Sequence, residues 1–169
     1  MITVMQRASV RGRVNAATLR RRASRLLQAL GRPEDDLCIL LTDDTEIQTL
    51  NRTWREKDTP TDVLSFSQVE GEGRPKLPPG VPVVLGDVAI SLETAHTQVA
   101  DGCLPRLWAA LGNPDSRPAW TLTDEVTFLL LHGTLHLIGR DHETDAERVV
   151  MEAEEAALLP SLLRGGRGR

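Results

Sequence analysis

Residues 121–142 read TLTDEVTFLLLHGTLHLIGRDH, and this stretch decides the fold. Thr121 followed by Asp124 has the form of a capping box, which satisfies backbone donors where a helix begins. On a helix of about 3.6 residues per turn, positions four apart share a face, so His132 and His136 point the same way, one turn apart. Gly139 can take the left-handed conformation that ends a helix and turns the chain, which brings His142 round as a third ligand. Three neutral imidazoles with no obvious fourth side chain describe a catalytic zinc, which keeps a position for water; a structural zinc would want a fourth ligand. Neutral ligands leave the ion's double charge to act on that water. His96, in SLETAHTQVAD, has no partner spacing and reads as a solvated helix residue. Cys38 and Cys103 form no CxxC pair and read as small buried apolar groups.

The same ligand spacing occurs in zinc peptidases of the form HExxHxxGxxH, where the glutamate beside the first histidine handles the water's proton. Here that position is Gly133, which has no proton acceptor. A peptidase would need a distant carboxylate in its place.

Two further blocks widen the pattern, REKDTPTDVLSF at 55–66 and GDVAIS at 86–91. Taken in order with HGTLHLIGRDH, they resemble the YbeY family of bacterial endoribonucleases, also described as ribosomal RNA maturation factors, from about Leu37 to His142. The resemblance implies a small cytoplasmic zinc protein that cuts single-stranded RNA. Its work would be maturing the 3′ end of small-subunit ribosomal RNA and ribosome quality control, with the small subunit and assembly factors as partners and neither membrane nor DNA among them. The family's zinc ligands fall on His132, His136 and His142, with His132 also counted among the catalytic residues, and its functional arginine falls on Arg55. A guanidinium suits that role, because phosphodiester cleavage builds negative charge on non-bridging oxygens that its planar fork can match. Lys57 can add a second phosphate contact. Asp87 has two readings, a proton acceptor near the metal or the partner of a bulge or backbone amide. Asp62 reads as a turn residue, and Asp141 as a carboxylate that can orient a zinc-bound imidazole.

The chain departs from the family pattern at four places. Ser67 follows LSF where proline is usual, Arg140 stands where an aromatic is common, and Trp54 replaces a frequent tyrosine. Residues 102–121 form an insert in which Leu104, Leu107, Trp108 and Leu111 fall at helical spacing, as in a short amphipathic helix docked on the body. Tryptophan and arginine in the insert could alternatively stack on unpaired bases.

At 169 residues and 40% hydrophobic content, the chain fits one domain with a real core, taken here as 1–159, followed by a flexible tail at 160–169. The run from Phe128 to Leu131 is far too short to span a bilayer, and MITVMQRASVRGR lacks the apolar region of a secretion signal, which points to the cytoplasm. A net charge of −4 does not advertise a nucleic-acid binder, yet arginines gather at 7–25 and 164–169 and acids at 141–155. Such runs are most simply solvated helix faces.

Along the chain, ITVMQ reads as a strand, Asn15 caps a helix with Leu19, Ala23, Leu26, Leu27 and Leu30 inward and its arginines outward, and Gly31 ends it. LCILL is a second strand, leading to a helix capped near Thr42 or Asp43 with Ile47 and Leu50 inward. DVLSF and VVLGDVAIS are the third and fourth strands, and Ser91 caps another helix. Thr144 with Glu147 opens a final helix carrying Val149, Val150, Ala153 and Leu158, which Pro160 stops. These elements give an α+β domain with a mixed four-stranded sheet, about five helices and a zincin-like histidine helix. The metal is placed beside the sheet, between that helix and the segment carrying Arg55. Two other classes remain open at this level, a zinc peptidase lacking the usual glutamate and a ribosome-associated factor without catalysis.

Overall fold

The computed structural model describes residues 1–69, 81–102 and 120–163. In order the elements are β1 (Ile2–Gln6), a 3-10 turn (Ala8–Val10), α1 (Ala16–Ala29), β2 (Asp36–Thr42), α2 (Asp44–Arg55), β3 (Val63–Ser67) and β4 (Val84–Ser91). Helices α3 (Leu92–Asp101), α4 (Leu122–Leu137) and α5 (Asp145–Leu163) follow. The sheet runs β1-β2-β4-β3, parallel except where β3 meets β4, so it is mixed as the sequence implied. No helix among the described residues is long and apolar enough to cross a membrane.

The capping residues do what their chemistry predicts. Asn15, Asp43 and Ser91 accept from the backbone N–H three residues on, and Thr121 forms a reciprocal box with Asp124. Thr144 and Glu147 exchange the same pair of bonds ahead of α5. Each cap is worth roughly 1 kcal/mol and fixes where its helix starts.

Alternation along the strands divides the core in two. Val88 and Ile90 of β4, with Leu37, Ile39 and Leu41 of β2, face the large core shared by α1, α3, α4 and α5. Ala89 and Leu64 turn the other way, with Leu40 and Phe66, to meet Ile47 and Leu50 of α2. Helices α2 and α4 therefore lie on opposite faces of the sheet.

Helix α4 is buried nearly all round, from Val126 through Leu131 to Leu137. Its N-terminal turn is held by an arginine that the charge pattern placed in solvent. Arg22 is 6% exposed, and its Nη1 donates to Thr123 O (3.2 Å), Asp124 Oδ1 (3.0 Å) and Thr127 Oγ1 (2.7 Å). A buried guanidinium is tolerable because carboxylate and neutral acceptors surround it.

Helix α5 departs from the expected stripe. Val149 and Val150 are 65% and 59% exposed, and the buried face is Met151, Glu155, Leu159 and Leu162. A phase chosen on apolar residues alone rotates this helix wrongly, because its inward face contains a glutamate. Pro160 does not stop the helix either, since α5 continues to Leu163 and Leu162 is buried. An interior proline costs about 3 kcal/mol, which burial of Leu159 and Leu162 at about 1.5–3 kcal/mol each can offset. The boundary drawn at 159 thus falls inside a packed helix. The amphipathic segment around Leu104 to Leu111, Cys103 and the basic tail at 164–169 lie outside the described residues.

Candidate metal centre

The last turn of α4 presents His132 and His136 on one face, as their spacing requires, with their Nε2 atoms 3.2 Å apart. The helix then closes in a Schellman motif, where Arg140 N–H donates to Leu135 O (3.0 Å) and Gly139 N–H to His136 O (3.1 Å). Gly139 supplies the left-handed residue, φ 88°, that this motif needs. His142 is thereby returned to the pair, its ring centre 5.5 Å from that of His132 and 4.9 Å from that of His136. One nitrogen from each ring lies within 4.8 Å of the others.

That donor set fits a divalent ion. Tetrahedral ligands at roughly 2.0–2.1 Å stand about 3.3–3.4 Å apart, close to the separation of His132 and His136, and His142 stands beside that pair. Burial lowers the proton affinity of His136, and the neighbouring His132 and His142 lower it further, against opposing pulls from Asp141 and an Arg140 backbone bond. The direction favours the neutral imidazole that a metal ligand has to be.

Gly133, where a peptidase would carry its glutamate, faces the sheet. A Cβ there would stand 2.8 Å from Val88 Cγ1, 2.9 Å from Ser65 Oγ and 3.2 Å from Val63 Cγ2. The helix is drawn in by β3, whose Ser65 and Ser67 hydroxyls donate to Gly133 O (2.9 Å) and Leu137 O (3.1 Å). Ser67, one of the departures from the family pattern, thus satisfies one of the carbonyls that a helix end leaves open.

The structure does not bring all the nominated side chains together. Arg55 ends α2, on the sheet face opposite α4, and the chain leaves it through Glu56 in a left-handed conformation, φ 58°. Arg55 and Lys57 are exposed, and neither side chain has a hydrogen-bond or ion-pair partner among the described residues. Their neighbour Trp54 packs edge-on against Phe66 of β3 at 6.2 Å between ring centres. Arg55 and the histidines thus belong to helices packed on opposite faces of the sheet, on either side of its edge strand β3.

Asp87 pairs across the sheet with Cys38 and Phe66 and turns to the α2 face, away from the histidines. There burial, with a hydrogen bond to Asp87, pushes the half-buried Cys38 thiol up, so this cysteine is less enclosed than the sequence suggested. Asp141 spends Oδ1 on its neighbour's backbone, accepting from His142 N–H at 2.8 Å. The carboxylate at an imidazole is instead Glu155 of α5, whose Oε1 lies 2.6 Å from His132 Nδ1. Sequence reasoning missed Glu155; its position four residues from both Met151 and Leu159 was the available signal.

The chain matches the family model described as endoribonuclease YbeY over residues 5–105 and 113–163. A protein of that name from Anaeromyxobacter dehalogenans is 42% identical over 158 residues, covering 90% of this chain and 70% of the relative. Another from Geobacter metallireducens is 37% identical over 155 residues, covering 90% of each. A third, from Paramagnetospirillum magneticum, is 41% identical over 127 residues, or 75% of this chain and 67% of the relative. A solution structure of a Thermotoga maritima protein, 20% identical and covering all of both chains, shares the fold at a TM-score of 0.53.

Proposed function

The chain belongs to the YbeY endoribonuclease family, and from that membership we propose that it is a zinc-dependent endoribonuclease that cuts single-stranded RNA. Its place is the cytoplasm, in maturation of the 3′ end of small-subunit ribosomal RNA and in ribosome quality control, with the small subunit and its assembly factors as partners. The observation that carries the reading is the histidine triad, three nitrogens within 4.8 Å on a helix whose peptidase position is filled by packing.

His132, His136 and His142 would hold the ion. Bound zinc supplies a Lewis acid at the phosphodiester. Arg55 binds the phosphate: its guanidinium has no partner among the described residues, and a planar pair of donors lowers the energy of charge gathering on non-bridging oxygens. Lys57, whose side chain likewise has no partner among the described residues, adds a second cation on the same side. Because these cations and the histidines flank β3 from opposite faces, the substrate must reach around that edge. A flexible single strand does so more easily than a stiff duplex. Asp87, on the α2 face beside Cys38, has no part in this reading.

The peptidase alternative is disfavoured by the packing at Gly133, where even a methyl group is too close to Val88. One experiment separates the three classes. Protein of verified metal content is incubated with single-stranded RNA, duplex RNA and casein, with and without chelator. Chelator-sensitive cleavage of the single strand is expected. Cleavage of casein alone would sink the nuclease reading, and RNA binding without product would leave a non-catalytic factor.

A further inference from the structure

Glu155 is 5% exposed in the middle of an otherwise apolar face of α5, between Met151 and Leu159. A buried carboxylate is costly unless something pairs with it, and the pairing is specific. Its Oε1 meets His132 Nδ1 at 2.6 Å. With Nδ1 engaged, the nitrogen left to donate a lone pair is Nε2, the atom that stands 3.2 Å from His136 Nε2. We propose that Glu155 is the positioning residue of the metal centre, holding the His132 ring in the tautomer and orientation in which Nε2 faces the ion.

The proposal rests on the metal reading above and extends it to a helix that carries none of the ligands. Carboxylates in this arrangement fix a ligand's ring and strengthen it as a donor. Asp141 is committed to the His142 backbone, and Glu154 bonds Arg140 at 2.8 Å. That second bond ties α5 to the turn leading into His142. Helix α5 therefore grips the centre twice, at His132 through Glu155 and beside His142 through Glu154.

The test is zinc affinity, measured by competition with a chromophoric chelator on the full chain, with melting of each metal-free protein as the control for folding. Glu155→Ala is expected to weaken zinc binding about 10–100-fold, and Glu155→Gln, which keeps an acceptor oxygen of the same reach, to recover part of that loss. Nitrogen-15 spectra of the metal-free parent should show the proton of His132 on Nδ1, a preference that Glu155→Ala removes. If Glu155→Ala does not fold, Glu155→Gln carries the test by showing a smaller loss with an unchanged melting temperature. Affinities of the folded variants within about twofold of the parent would overturn the proposal. No RNA enters the measurement: a parent that binds zinc without cutting RNA would sink the nuclease reading alone, and one that binds no zinc would sink both.

Discussion

Gly133 approaches the sheet so closely that a Cβ on it would lie 2.8 Å from Val88 Cγ1. The helix that carries His132 and His136 is therefore set at a distance from β4 that only glycine permits. The residue whose lack of a carboxylate argues against a peptidase is also the one that lets α4 dock.

Two terms of opposite sign act at this position. Alanine favours a helix over glycine by about 1 kcal/mol, but crowding a packed site costs about 1–3 kcal/mol. Val88 is fully buried and cannot retreat, and moving the Ser65 hydroxyl gives up its bond to Gly133 O. Gly133→Ala should lower stability by about 1 kcal/mol in denaturant unfolding, and Gly133→Glu by more, with no gain of casein cleavage. A stabilised Gly133→Ala protein would mean that the helix is not seated as described.

Removing Arg22 leaves the Asp124 carboxylate and the Thr127 hydroxyl without their cation at the start of α4. Arg22→Ala should cost about 3 kcal/mol. For a chain of this size the melting temperature should fall by about 6–12 °C. A change of less than about 1 kcal/mol would show that the pair contributes no more than an exposed one.

Among the described residues the Arg55 side chain has no hydrogen-bond or ion-pair partner, so its loss should leave stability alone. Arg55→Glu should slow cleavage of single-stranded RNA by about 100-fold or more with metal content and melting temperature unchanged, and Lys57→Ala by about tenfold. A fully active Arg55→Glu protein would remove the arginine from the reaction.

Glu125 is buried at the start of α4, where it accepts from Trp120 Nε1 at 2.7 Å. Burial raises its pKa, with a smaller push from Asp62 and an opposing hydrogen bond from Trp120. Above 4.5 the unfolded chain releases this proton while the folded chain still holds it. Native protein therefore binds more protons through that window, and stability falls as pH rises through it. Glu125→Gln should raise the melting temperature at pH 7 and have little effect at pH 4. A variant no more stable at pH 7 than at pH 4, each relative to its parent, would contradict this.

What was legible from residue order alone was local. Asn15, Ser91 and Thr121 each cap a helix through a neighbour three residues on, and His132 and His136 share a face because four residues make about one turn. Gly139 ends its helix by the same short-range geometry. These interactions close over a few backbone dihedrals, so they hold wherever the segment sits.

The rest waited for distant segments to meet. Arg22 is 102 residues from Asp124, and Glu155 is 23 from His132. Each charge is buried only because its partner arrives with it, a condition that hydrophobic periodicity does not carry. For the same reason Val149 and Val150 looked like core and are solvent-exposed, while a glutamate took the inward face. The face each helix packs on decided that Asp87, and the helix that ends at Arg55, lie across the sheet from the histidine helix. The sequence by itself determined the histidine cluster and the turn that gathers it, because those depend on backbone geometry within and just beyond a helix. Only the tertiary structure decided which carboxylate meets His132 and on which face of the sheet the histidines lie, because those depend on which buried groups the assembled core leaves for one another.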